Sequence, residues 1–66
     1  MYSNQIKLIR KQKGITLAEL SDITGISSGY LCHLEKGSRK NPSLSIMEKI
    51  AKALNKNISE VFFLQK

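Results

Sequence analysis

The tightest constraint on this chain is the spacing within residues 16 to 37, TLAELSDITGISSGYLCHLEKG. Thr16 is a natural N-cap, and Leu17, Leu20 and Ile23 recur every third residue along one helical face. Gly25 follows at once, where a chain leaving a helix favours a left-handed residue. Ser27 is a second cap, and Leu31 and Leu34 form a second apolar stripe that Gly37 ends. Only Gly25, Ile26 and Ser27 separate the two predicted helices, roughly 17–24 and 28–36. A turn that short sets the second helix across the first, in helix-turn-helix geometry, and leaves it free to enter a major groove.

The flanking sequence predicts three more helices. The first runs from about Asn4 to Lys13, capped by Ser3, with Ile6 and Ile9 inward, Lys11 and Lys13 at its negative end, and Gly14 stopping it. Leu8 lies off that stripe and borders the last helix. After Gly37 a polar loop, Ser38-Arg39-Lys40-Asn41, runs to Pro42, which disfavours helix at Asn41. Ser43 then caps a longer helix from Leu44 to about Leu54, with Leu44, Met47, Ile50, Ala51 and Leu54 on one face. Glu48 and Lys52 form an i,i+4 pair on its outside. Asn55 to Asn57 make a turn, and Ser59 caps a last short helix carrying Val61, Phe62 and Phe63. Nothing alternates with period two, so no strand is expected. The fold class is all-α: a compact five-helix bundle, one domain over residues 1–66.

Size limits the chemistry. Sixty-six residues build a modest core and leave no room for a buried catalytic cleft with a cofactor. There is no nucleophile–base pair, metal-ligand cluster or glycine-rich phosphate loop. We therefore expect no enzyme, no catalytic or metal-binding residues, no cofactor and no small-molecule ligand. Eleven Lys and Arg against five Asp and Glu give a net charge of +6, which favours a polyanionic partner. Charge alone fits a soluble basic protein with no particular ligand equally well. The single cysteine cannot form an internal disulfide, and apolar runs such as Val61 to Leu64 are too short to span a bilayer. The N-terminus, MYSNQIKLIRKQKG, is amphipathic and basic and is not built like a signal peptide. The expected location is the cytoplasm, with no membrane contact.

The combination of IKLIRKQKG, T-x-AELS, the G-I-S turn, YLCHLEKG, NPS, LSIMEKIAKAL and SEVF resembles the Cro/C1-type (Xre) helix-turn-helix family of phage and bacterial regulators. The likeness runs from Ile6 to about Phe62. The segment GYLCHLEKGSRKNPS is similar to two subgroups, SinR-type repressors and the controller proteins of restriction-modification systems. The controllers are stand-alone chains of similar length, which leaves open that this chain is complete. The resemblance implies a lambda-repressor-like domain with helix three in the major groove, binding double-stranded DNA as a homodimer on a palindromic or pseudo-palindromic operator. It also implies an ion bridge between Arg10 and Glu35, which by residue type alone read as two unrelated surface charges.

On helix three, Leu31 and Leu34 face the core, so 28, 29, 32, 33 and 36 lie on other faces. Ser28 and His33 are the candidates for base contacts, with Gly29 and Cys32 lining the path. A solvated imidazole is the alternative for His33. Cys32 reads as a small space-filler. Gly29 departs from the larger polar residue that family members often carry, which lets the backbone approach but reduces direct readout. Tyr30 has a hydroxyl that the resemblance sends to a phosphate, with packing as the alternative. Thr16 and Ser27 are caps first, and their helix N-termini can offer N–H groups to phosphates. Leu17 replaces a glutamine that in many family members bonds the DNA backbone. Ser38, Arg39, Lys40 and Asn41 suit the phosphates flanking the site, and the resemblance lets Arg39 touch bases.

Phe62, Phe63 and Leu64 exceed what one short helix can bury, so with Asn57 and Ile58 they are assigned to the dimer interface. Phe63 folding back over helix one is the alternative. The leading reading is a sequence-specific regulator of transcription, a repressor in preference to an activator. The rival is a helix-turn-helix protein-interaction module such as an antitoxin or an anti-repressor partner, which the cations at Arg39 and Lys40 disfavour. RNA binding lacks an array of exposed aromatics for stacking.

Overall fold

The computed structural model describes residues 3–37 and 42–63. In chain order the elements are β1 (Ser3–Asn4), α1 (Ile6–Gln12), α2 (Leu17–Thr24), α3 (Ser28–Lys36), α4 (Leu44–Ala53), α5 (Ile58–Val61) and β2 (Phe62–Phe63). Among the described residues, five helices surround one apolar core. Ile6 and Ile9 enter it from α1, Leu20 from α2, and Leu31 and Leu34 from α3. Ile50, Ala51 and Leu54 close it from α4, Val61 and Phe62 from the C-terminal end, and Ile26 from the turn.

Caps explain most boundaries. Thr16 Oγ1 accepts from the Glu19 N–H at 3.0 Å while the Glu19 carboxylate accepts from the Thr16 N–H at 2.8 Å, a capping box that starts α2. Ser27 and Ser43 accept from Tyr30 N–H and Ile46 N–H, each at 3.2 Å, and start α3 and α4. Gly25 (φ 75°) and Gly37 (φ 79°) end α2 and α3 in the left-handed region that a Cβ disfavours. Asn55 (φ 58°) takes the same conformation after α4.

Several expectations need correction. Ser3 does not cap α1; it belongs to β1, and Asn4 Oδ1 accepts from the Ile6 N–H at 3.1 Å instead, so the helix starts at Ile6. The missing strands are present as one antiparallel pairing, Ser3 with Phe63 and Asn4 with Phe62. Two residues a side are too few to leave a period in the sequence. Consequently α5 stops at Val61, and Phe62 (φ −116°, ψ 113°) is extended. Ser59 lies inside α5; the N-cap is Asn57, whose N–H donates to the Glu60 carboxylate at 2.7 Å.

The helical stripes also drift. A three-residue spacing falls about 60° short of a turn at each step. Ile23, two steps past Leu17, is therefore rotated out to 60% exposure, and Ile26 fills the core instead. Leu44, in the first turn of α4 at the edge of its stripe, is also 60% exposed, and Leu8 is 54% exposed rather than seated against the last helix. Glu48 and Lys52 are both exposed and form no salt bridge; among the described residues the salt bridge is Arg10–Glu35. Phe62 is fully buried in the single chain, so it cannot line a dimer interface. The Phe63 side chain and Leu64 lie outside the described residues.

Candidate nucleic-acid interface

The angle between α2 and α3 is stitched by α2 side chains that bond the backbone just beyond Gly25. Ser21 Oγ donates to the Ile26 carbonyl at 2.6 Å. Thr24 Oγ1 donates to the Leu20 carbonyl at 2.8 Å and accepts from the Ile26 N–H at 3.1 Å. Both backbone polar groups of Ile26 thus have partners, and its side chain anchors the turn in the core. Such a turn holds α3 at one angle.

Leu31 and Leu34 bury one side of α3 completely. Rotation by 3.6 residues per turn then puts Ser28, Gly29, Cys32, His33 and Lys36 on the opposite side. Ser28, Gly29, His33 and Lys36 are exposed, and Cys32 is half-buried. Tyr30 is half-buried and packs against the core, so its ring serves the fold. Thr16 and Ser27 are exposed caps at the starts of α2 and α3. A Cβ on Gly29 would meet nothing within 4 Å, so packing does not require glycine there. Ser38, Arg39, Lys40 and Asn41 lie outside the described residues.

Electrostatics favour an anion on this face. Glu35 is the one carboxylate in α3, and Arg10 covers it: Nε donates to Oε2 at 2.8 Å and Nη2 to Oε1 at 3.4 Å. Their side chains are 12% and 7% exposed. Arg10 Nη1 also donates to the Ile15 carbonyl at 3.0 Å, tying the α1–α2 connection to the same guanidinium. Sequence reasoning did not name Lys36 as a candidate contact, although it is exposed. The signal was available, since Lys36 follows Cys32 by four residues and His33 by three on the same side of α3. It also overlooked Asn4, whose side chain reaches α3 across thirty residues of sequence, a contact that only the tertiary fold creates. Among the described residues no three His, Cys, Asp or Glu converge as a metal site. Among the described residues, likewise, no helix is long and apolar enough to cross a membrane.

The helix-turn-helix family model matches residues 6–61, from the first residue of α1 to the end of α5. The chain belongs to this family. It is 34% identical over 58 residues to the HTH-type transcriptional regulator SinR of Bacillus subtilis, covering 88% of this chain and 52% of SinR. It is 39% identical over 57 residues to the immunity repressor protein of Bacillus phage phi105, covering 86% of this chain and 39% of that protein. The chain thus spans about half the length, or less, of these relatives.

Solved structures agree on the architecture. The restriction-modification controller protein C.AhdI from Aeromonas hydrophila superposes with a TM-score of 0.79 at 30% identity, covering 85% of this chain and 83% of that one. The N-terminal DNA-binding domain of SinR superposes at 0.77 with 35% identity, covering 82% and 78%. SinR and a restriction-modification controller, which represent the two subgroups the sequence resembles, are thus both among its relatives.

Proposed function

We propose that this chain is a sequence-specific, double-stranded DNA-binding regulator of transcription, a repressor that acts as a homodimer on a palindromic or pseudo-palindromic operator. The observation that carries the reading is the outer side of α3, where Ser28, Gly29, His33 and Lys36 are exposed while the helix's one carboxylate is neutralised by Arg10. An uncovered acid there would repel phosphate. Likeness to a phage immunity repressor and to a DNA-binding domain of SinR supports the same reading.

In this reading α3 lies in the major groove with its N-terminal end deepest. Ser28 and His33 contact base edges, and Gly29 sets how closely the backbone approaches. The N-termini of α2 and α3, at Thr16 and Ser27, offer N–H groups to phosphates, and Tyr30 offers its hydroxyl. Lys36 adds a cation at the end of α3, and Ser38, Arg39, Lys40 and Asn41 are assigned to the flanking phosphates. The dimer contact falls at the α5 end, on exposed Asn57 and half-buried Ile58, together with Phe63 and Leu64.

Selection of bound duplexes from a random pool tests the function directly. The expected product is an inverted repeat whose half-sites lie about one helical turn apart, roughly 10 base pairs. A chain that enriches no sequence, or enriches only single-stranded contaminants, is not this kind of regulator.

A further inference from the structure

Asn4 stands at a junction that the DNA-binding role, as described so far, does not use. Its Nδ2 donates to the Leu34 carbonyl at 2.9 Å, thirty residues away in sequence. Its Oδ1 accepts from the Ile6 N–H at 3.1 Å and so helps to start α1. Its backbone pairs with Phe62 in the small sheet, and the adjoining Gln5 N–H donates to the Val61 carbonyl at 2.7 Å. One half-buried residue therefore joins α1 and α3 through its side chain and the C-terminal strand through its backbone.

We propose that Asn4 is a positioning residue for α3: it fixes the pitch of the recognition helix against the body of the domain and thereby sets sequence discrimination. This inference rests on the DNA-binding reading above. The Leu34 carbonyl is in the last turn of α3, where a helix leaves carbonyls without intrahelical donors. Gly37 N–H reaches it at 3.2 Å, and the Asn4 amide supplies the second, shorter bond. Beside it, Glu35 is held by Arg10 from α1. The C-terminal end of α3 is thus anchored at two adjacent residues, to β1 through a neutral amide and to α1 through an ion pair.

Anchoring there acts on the opposite end through leverage. Ser28 lies six residues from Leu34, which is about 9 Å along the helix. A tilt of about 6° at the anchor moves Ser28 by about 1 Å, enough to take a hydrogen bond out of range. Leu31 and Leu34 resist translation of the helix into the core, but apolar contacts are non-directional and tolerate small tilts. Asn4 supplies a directional restraint.

Two substitutions separate this role from fold support. Asn4→Asp and Asn4→Ser each keep an oxygen for the Ile6 N–H. Aspartate lacks the donor for Leu34, and serine is too short to reach it. The two variants differ in charge, so a shared effect is not electrostatic. The measurement is the ratio of affinities for the duplex selected by the parent chain and for a shuffled duplex of the same composition, with melting temperature recorded alongside. We expect that ratio to fall by about thirtyfold or more in both variants, the scale of one weakened base contact in each of two half-sites, while both remain folded. An unchanged ratio in folded variants overturns the role of Asn4 and leaves the DNA-binding reading standing. A parent chain that prefers no duplex overturns the DNA-binding reading and this role with it.

Discussion

At Arg10 one side chain satisfies three acceptors: both Glu35 carboxylate oxygens and the Ile15 carbonyl. Arg10→Ala leaves a carboxylate that is 7% exposed without its counter-charge. Urea unfolding should register a loss on the order of 3 kcal/mol. A double replacement by apolar residues of similar volume should recover much of it, because the desolvated charge is then gone as well. Gly29 is the opposite case. It sits in an exposed helical position with open space where its Cβ would be. Gly29→Ala should therefore raise the stability of the isolated protein by about 0.5–1 kcal/mol. If the backbone of Gly29 approaches the bases closely, the same substitution weakens binding to the selected duplex, so stability and affinity move in opposite directions. Parallel gains in both would place the backbone of α3 away from the groove floor.

Among the elements, the α2–turn–α3 unit depends most on a single residue. Gly25 holds φ 75°, and its N–H donates to the Ser21 carbonyl at 2.8 Å. Gly25→Ala keeps that bond but forces a Cβ into the left-handed region, at a cost of about 1–2 kcal/mol. Thermal melting should drop accordingly, and a melting temperature equal to the parent's would show that the turn can relax into another conformation. The β1–β2 pairing shows how an element that is negligible by length can decide what its neighbours do. It ends α5 at Val61, turns Phe62 into the core, and brings Asn4 within reach of α3.

For the whole molecule, charge and association are the measurable properties. The chain carries no Lys or Arg between Lys13 and Lys36, so the helix-turn-helix is flanked by its cations rather than studded with them. If roughly six to ten phosphates are contacted per dimer, affinity should fall on the order of a thousandfold or more between low and moderate salt. Arg39→Ala or Lys40→Ala should flatten the logarithmic salt slope by about one unit per dimer arm. A slope unchanged in both variants would remove the loop from the DNA. Adjacent phenylalanines should behave differently. Phe62→Ala opens the core and should cost about 3–5 kcal/mol. Phe63→Glu should leave the chain helical and convert a dimer to a monomer in sedimentation; a dimer that persists would exclude that interface.

Read alone, the sequence determined the helices that carry their own punctuation. The bounds of α2 and α3 were legible because Thr16, Ser27, Gly25 and Gly37 act within a few residues of the positions they cap. Leu31 and Leu34 oriented α3 for the same local reason. The pairing of Arg10 with Glu35 was not visible in residue types or spacing and came from family likeness. The tertiary structure alone decided which apolar residues stay outside, as at Ile23 and Leu44, because burial depends on what faces a stripe and not on the stripe itself. It also decided the end of the chain. Phe62 looked like surplus apolar surface while only a short helix was available to bury it, yet strand pairing with Asn4 turns it fully into the core. That pairing and the Asn4–Leu34 bond join residues that lie far apart in sequence. Neither leaves a local signal, because the partner that stabilises each is brought there only by the packing of all five helices.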